Sequence, residues 1–220
     1  MTVARGLHQP PLTQALLIPT GQPDERLPAV GDGPRNFGWW GMVLFIAVEA
    51  TVFALLLASY FYIRFRTGPV WPPDGIEAPK LKLVLIMSAI LWSSSIPVHL
   101  AHGAIRHGAQ RRLRFYLALG FLLGAAFLAL QCLVEYPDIA RHEFTPRTDA
   151  YGSMFFTITG LHGAHVAVGL LMSAWVQLRA RQGAFDRHRH VSVQNFVMYW
   201  HFVDVVWVFV LATLYLSPHL

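Results

Sequence analysis

Charged residues and cysteines are both scarce in this chain. Asp, Glu, Lys and Arg make up only 13% of the 220 residues, whereas apolar residues make up 55%. So few charged groups cannot cover the surface of a water-soluble globule of this length. The single cysteine, Cys132, lies in an apolar run and excludes both a disulfide framework and a multi-thiolate metal site. The composition therefore predicts a protein that folds in a membrane.

The apolar residues fall into long runs, each of about 20 residues or more, which is enough to cross about 30 Å of hydrocarbon. The fold class predicted is all-α, a polytopic membrane bundle with five transmembrane helices within residues 38–220. The first 37 residues are rich in Pro and Gly and are predicted to form a cytoplasmic tail, not a cleaved leader. We place the spans at residues 38–65, 81–101, 113–136, 151–178 and 193–216.

The distribution of Lys and Arg predicts the orientation, because positive connections are retained on the cytoplasmic side. With the N-terminus inside, 11 of the 17 basic residues are cytoplasmic and six are outside. The chain is thus expected to have a cytoplasmic N-terminus and a periplasmic C-terminus. The net charge of +5 comes from basic residues in the connections between spans, where we expect them to contact anionic lipid headgroups. No nucleic-acid partner is expected.

Ionisable groups at bilayer depth are costly and are candidates for function. Glu49 lies near the middle of the first span, where two interpretations remain open. It could exchange protons with a relay, or it could be a neutral acid that holds two helices together by a hydrogen bond. Gln131 and Glu135 lie one turn apart in the third span and could bond a neighbouring helix, although Glu135 could also be a solvated interfacial residue.

Two further polar groups occur in the fourth and fifth spans. His162 and His165 are three residues apart, but neither a carboxylate at ligand spacing nor a thiol cluster accompanies them, so no metal site is expected. Asp204 follows His201 by three residues, and mutual pairing of this acid and imidazole is the more economical interpretation. Arg179 ends the fourth span, where a phospholipid phosphate is a plausible partner.

Four segments stand out in order along the chain: GMVLFIAVE, LGFLLGAAFLALQCLVEY, AYGSMFFTITGLHGAHVAVGL and YWHFVDVVW. Together they resemble one family, cytochrome c oxidase subunit III. The resemblance covers roughly residues 38–216. It implies a helical bundle that packs on oxidase subunit I, with subunit II and possibly small subunits as further partners, in a bacterial cytoplasmic membrane.

The resemblance also implies roles for individual residues. Glu49 matches the buried carboxylate associated with proton supply, whereas His162 and Arg179 match positions that line a lipid-binding cleft. His165, His201 and Asp204 match motif positions that look structural. The implied subunit binds phospholipid but no haem or copper, which belong to its partners, and it has no catalytic residue of its own.

Two departures from the family pattern weaken these expectations. The mitochondrial form has seven helices, and the two that form one wall of the lipid cleft have no counterpart among the predicted spans. Gln194 stands where many members have a glutamate, so a second carboxylate of the family pattern is missing.

Other readings stay open at the level of sequence. Five-helix relatives occur with quinol oxidases and with nitric oxide reductases, and the electron donor is a property of the partner subunits. A di-haem membrane cytochrome would use His99, His162, His165 and His201. A small transporter would use Glu49 as its coupling carboxyl, although no inverted repeat is apparent.

Overall fold

The computed structural model describes residues 37–67, 71, 81–141, 144–147, 149–187 and 189–219. Over these ranges the chain is helical and contains no strand, and five helices are long and apolar enough to cross a membrane. The predicted fold class is confirmed, and each predicted span lies inside one helix. The predicted tail falls almost wholly outside the described residues. The helices are α1 (Phe37–Thr67), α2 (Leu81–Arg106), α3 (Gln110–Arg141), α4 (Ala150–Arg181) and α5 (Val191–His219).

Short connections and local caps set the ends of these helices. Gly108 and Gly183 have φ of +72° and +71°, the left-handed conformation that glycine adopts readily after a helix C-terminus. They begin the tight connections from α2 to α3 and from α4 to α5. At the start of α4, Asp149 accepts a hydrogen bond from the backbone N–H of Gly152 at 2.7 Å. The connections from α2 to α3 and from α4 to α5 are therefore short, and the first turn of α4 is capped.

Helix α5 occupies the centre of the bundle, and α1 lies at its edge. Helices α2, α3, α4 and α5 pack around a common core, whereas α1 packs on α4 and α5 through one face only. Of the five spans, α5 is the most buried and α1 the least. Most of the surface of α1 is left to lipid or to another protein.

Two tryptophan side chains attach α5 to α2. The indole N–H of Trp200 donates to Ser94 Oγ at 2.9 Å, and that of Trp207 donates to Ser88 Oγ at 2.8 Å. All four side chains are buried. An indole N–H in hydrocarbon needs an acceptor from the protein, because no water is present to supply one.

Glycines on α3 leave room for the close approach of α2 and for the Trp200 indole of α5. A Cβ added at Gly120 would lie 2.7 Å from Val98 Cγ2. One added at Gly124 would lie 2.5 Å from Trp200 Cη2. Both separations are shorter than real Cβ contacts, so this packing face requires glycine.

Two helices change their winding near the same end of the bundle. Gln131–Glu135 of α3 and Leu211–Leu216 of α5 form π-helical turns. They are joined by a bond of 2.6 Å in which Tyr215 Oη donates to Glu135 Oε1. Such turns often re-aim side chains toward a local function, and here they bring a buried phenol to a buried carboxyl.

The glycine packing face predicts a selective loss of stability. Gly124→Ala should lower the free energy of unfolding by about 1–3 kcal/mol, because the Trp200 indole must move to admit the new methyl group. Gly41→Ala is the matched control, since nothing lies within 4 Å of the added Cβ. Thermal unfolding of the purified chain in mild detergent gives both values, and equal midpoints for the two variants would contradict the packing account.

Candidate functional site

Glu49 and His165 form a polar pair between α1 and α4. Glu49 Oε2 lies 3.0 Å from His165 Nε2, and the two side chains are 23% and 11% exposed. Glu49 lies nine residues, or about 14 Å, beyond Trp40 along α1, which places it deep in the span. The sequence pointed to Glu49 but did not identify His165 as its partner.

The other ring nitrogen of His165 fixes the proton arrangement. His165 Nδ1 lies 2.8 Å from the carbonyl oxygen of Leu161, and a carbonyl can only accept a hydrogen bond. Nδ1 therefore carries a proton, and one further proton is required between Nε2 and Glu49 Oε2. The pair is either a neutral acid against a neutral imidazole or a carboxylate against an imidazolium, and it has no net charge in either state.

Aromatic rings enclose the imidazole side of the pair. The Phe53 ring meets the His165 ring edge-on at a centroid distance of 5.0 Å, and the Tyr199 ring is nearly parallel to it at 6.5 Å. The Tyr199 hydroxyl donates to the carbonyl oxygen of His165 at 3.1 Å. These contacts from α1 and α5 hold the imidazole in one orientation, with its Nε2 facing Glu49.

The polar residues of α3 bond neighbouring helices, as predicted. Gln131 Nε2 donates to the carbonyl oxygen of Thr159 at 3.5 Å, and Glu135 accepts from Tyr215. Glu135 is only 3% exposed, so the alternative of a solvated interfacial carboxylate is wrong. The π-helical turn at Gln131–Glu135 directs both side chains inward.

His162 is enclosed in the core. Its ring stacks on Trp207 at a centroid distance of 4.7 Å and meets the edge of Phe127 at 5.9 Å. It is fully buried, and neither ring nitrogen has a hydrogen-bond partner among the described residues. A ring enclosed in this way contacts no lipid, so the lipid role predicted for His162 has no geometric counterpart here.

Arg179 lies on the surface near the end of α4. Its guanidinium carbon is 6.0 Å from the centroid of the exposed Trp175 ring. His162 is seventeen residues earlier, or about 25 Å away along the helix axis. The two predicted lipid-binding residues thus belong to different levels of the bundle.

Asp204 pairs across helices instead of along its own helix. Ser95 Oγ donates to Asp204 Oδ2 and lies 3.4 Å from His201 Nδ1. The direct Asp204 to His201 contact predicted from their spacing is therefore wrong, because Ser95 of α2 lies between them. Gln194 is in the first turn of α5, with its backbone N–H bonded to the carbonyl oxygen of His190.

Residues 29–218 match the family profile described as cytochrome c oxidase subunit III. This is nearly the whole chain. The chain belongs to the cytochrome c oxidase subunit III family. The polar pair, the inward-facing α3 residues and the Trp207 contact with His162 all lie within the matched region of this subunit.

Relatives from distant organisms agree with this assignment. A cytochrome c oxidase subunit 3 from Synechocystis is 38% identical over 187 residues, or 84% of this chain and 77% of the relative. One from Coturnix japonica is 35% identical over 193 residues, 86% of this chain and 71% of the relative. One from Arabidopsis thaliana is 34% identical over 181 residues, which are 80% of this chain and 67% of the relative. A subunit of this name functions within a multi-subunit membrane oxidase.

The sequence did not identify several residues that position this site. Three of them bond a group on another helix: Tyr199 bonds the carbonyl oxygen of His165, Thr159 accepts from Gln131, and Tyr215 donates to Glu135. The buried hydroxyls of Ser88 and Ser94 receive indole protons. A signal was available for the serines, since two span tryptophans seven residues apart need two acceptors on a neighbouring helix.

The Glu49 to His165 contact predicts energetic coupling. In a cycle of Glu49→Leu, His165→Phe and the double variant, we expect a coupling free energy of about 1–3 kcal/mol, because each single change strands the other polar group. Chemical or thermal unfolding in detergent measures it. The control is the double variant of Glu49→Leu and Tyr215→Phe, in which the two changes in the free energy of unfolding should add. Additivity in the Glu49 and His165 cycle would contradict the contact.

Proposed function

We propose that this chain is the non-redox subunit III of a respiratory cytochrome c oxidase. Dioxygen reduction, haem and copper belong to partner subunits, and this chain supports them without a catalytic residue of its own. The family assignment and the names of the relatives support this proposal. His165 is committed at both ring nitrogens, which argues against its use as a haem ligand.

The proposed partners are oxidase subunit I, as the main contact, together with subunit II and small subunits. Helix α1 has little of its surface covered within the chain and presents large apolar residues outward, Leu44, Val48 and Leu55. A face of this kind suits a bilayer or a neighbouring membrane subunit. The proposed location is a bacterial cytoplasmic membrane, with the N-terminus in the cytoplasm and the C-terminus in the periplasm, which the distribution of basic residues favours.

The proposed contribution of Glu49 is to hold a proton for the oxidase. The single observation that carries this proposal is the 3.0 Å contact with His165, whose Nδ1 is bound to a carbonyl oxygen. Such a pair shares one proton between Nε2 and Oε2, and the ring orientation stays fixed whichever atom carries it. Glu49 is 23% exposed, which leaves its carboxyl reachable from the side of α1 that faces lipid or a neighbouring subunit.

A phospholipid is proposed to bind at the basic end of α4. Arg179 is exposed beside Trp175, and a guanidinium next to an interfacial indole suits a lipid phosphate with its glycerol region. Arg66 of α1 is a matched comparison, because it lies 5.8 Å from the Tyr62 ring centroid at the opposite end of the bundle.

Purification through a tag on this chain tests the assembly. In mild detergent we expect a haem-copper subunit to co-purify, with no haem left on the tagged chain once the subunits are separated. The subunit II that accompanies it identifies the donor. Mass spectrometry should find less phospholipid with Arg179→Gln than with Arg66→Gln. Haem retained by the isolated chain, or a chain that purifies alone, would overturn the proposal.

Substitution of the carboxyl tests the proton role within the complex. Glu49→Gln should lower the turnover-linked rate of proton uptake by about threefold, far less than the ~100-fold effect of a proton-transfer group in direct contact with substrate. The haem spectrum should be unchanged. Tyr199→Phe is the control, because it disturbs the same pocket without removing the carboxyl. A normal rate in Glu49→Gln, or an equal fall in the control, would argue against this role.

A further inference from the structure

A second set of titratable side chains lies between α2 and α5, away from Glu49. Four histidines line this groove from its basic end inward, and we call them the imidazole groove. Ser95 and Asp204 form its inner end. The basic end is the end of the bundle that carries the α2 to α3 and α4 to α5 connections. The four histidines are His190, His102, His99 and His201.

Two pairs of histidine rings in the groove are close enough for a proton to pass between them through one water. The ring centroids of His102 and His190 are 6.1 Å apart, and those of His99 and His201 are 6.0 Å apart. His99 and His102 are three residues apart on one face of α2. At the inner end, Ser95 Oγ contacts both His201 Nδ1 and Asp204 Oδ2.

Asp204 gives the groove a buried end. It is 8% exposed, and its Oδ1 atom is buried without a hydrogen-bond partner among the described residues. Asp204 lies thirteen residues into α5, or about 20 Å along the helix from Val191. A buried carboxyl oxygen with no partner at this depth is costly unless it carries a proton or meets water.

The outer part of the groove is accessible. His99 is exposed, and His102, His190 and His201 are partly exposed. Arg106 lies one turn beyond His102, at the mouth of the groove. Imidazoles facing pure hydrocarbon would be unfavourable, so the groove suits water or a neighbouring polar subunit surface. This differs from the apolar outer face of α1.

We propose that the imidazole groove conducts protons between the basic end of the bundle and Asp204, which serves as a second proton-holding carboxyl of the subunit. A protonated His201 gives its Nδ1 proton to Ser95 Oγ as the hydroxyl proton of Ser95 passes to Asp204 Oδ2. The imidazolium becomes neutral, the serine is unchanged and the carboxylate becomes the acid. His99, His102 and His190 return a proton to His201 from water at the mouth.

The alternative is that these residues only hold α2 and α5 together. Ser95 would then donate to a permanently ionised Asp204, and the histidines would add packing. Metal binding has no support, since no group of three or more His, Cys, Asp or Glu suited to a metal occurs in the described ranges. The two readings differ in whether the Asp204 carboxyl carries a proton that exchanges with solvent by way of the histidines.

Infrared spectroscopy of the intact complex separates them. The protonated carboxyl of Asp204 has a carbonyl stretch that shifts when the proton is replaced by deuterium, and Asp204→Asn identifies this band by removing it. After rapid transfer to deuterated buffer, the shift should be slower by about tenfold or more in the His99→Phe, His201→Phe double variant, because the relay has lost two proton carriers. His107→Phe, an exposed histidine at the same end, should leave the rate unchanged.

If the double variant does not assemble, the measurement is repeated with the milder single substitutions His102→Gln and His201→Gln. Each should slow the exchange of the Asp204 proton. The proposal is overturned if Asp204→Asn removes no carbonyl band at any pH at which the complex is intact. It is also overturned if exchange in the histidine variants is as fast as in the unsubstituted complex. The readout belongs to Asp204 alone, so either result leaves the Glu49 proposal unaffected.

Discussion

Hydrocarbon provides no hydrogen-bond partner, and this constraint determines how the five helices meet. Most polar side chains within the spans therefore find a partner on another helix or on their own backbone. Trp207 finds Ser88, Tyr215 finds Glu135, and Glu49 finds His165. Each bond fixes the rotation of one helix against another, so the polar contacts set the register of a bundle whose surface is mostly apolar.

The same constraint separates structural polar groups from those suited to exchange. The Trp207 to Ser88 contact is completely enclosed and directs a neutral donor to a neutral acceptor. Glu49 and Asp204, in contrast, each contact a partly exposed side chain that can both give and take a proton, His165 and Ser95 respectively. The subunit thus combines a rigid core around α5 with two polar clusters that each contain a carboxyl group, one toward α1 and one toward α2.

The spans and the family could both be inferred from the sequence, because hydropathy and ordered motifs are local properties. The partners of the ionisable groups could not. Spacing placed Asp204 beside His201, yet Ser95 of another helix intervenes. Similarly, the link from Glu49 to His165 depends on the rotation of α1 against α4, which residues beyond either helix determine.

The protonation of His165 tests the account most directly. Nitrogen-15 magnetic resonance of the histidine-labelled chain in lipid bilayers, with His165→Gln used to assign its signals, reports which ring nitrogen carries a proton. The contacts with Leu161 and Glu49 predict that Nδ1 is always protonated and that Nε2 alone responds to Glu49→Gln. A His165 ring protonated only at Nε2, with signals indifferent to Glu49→Gln, would contradict the account.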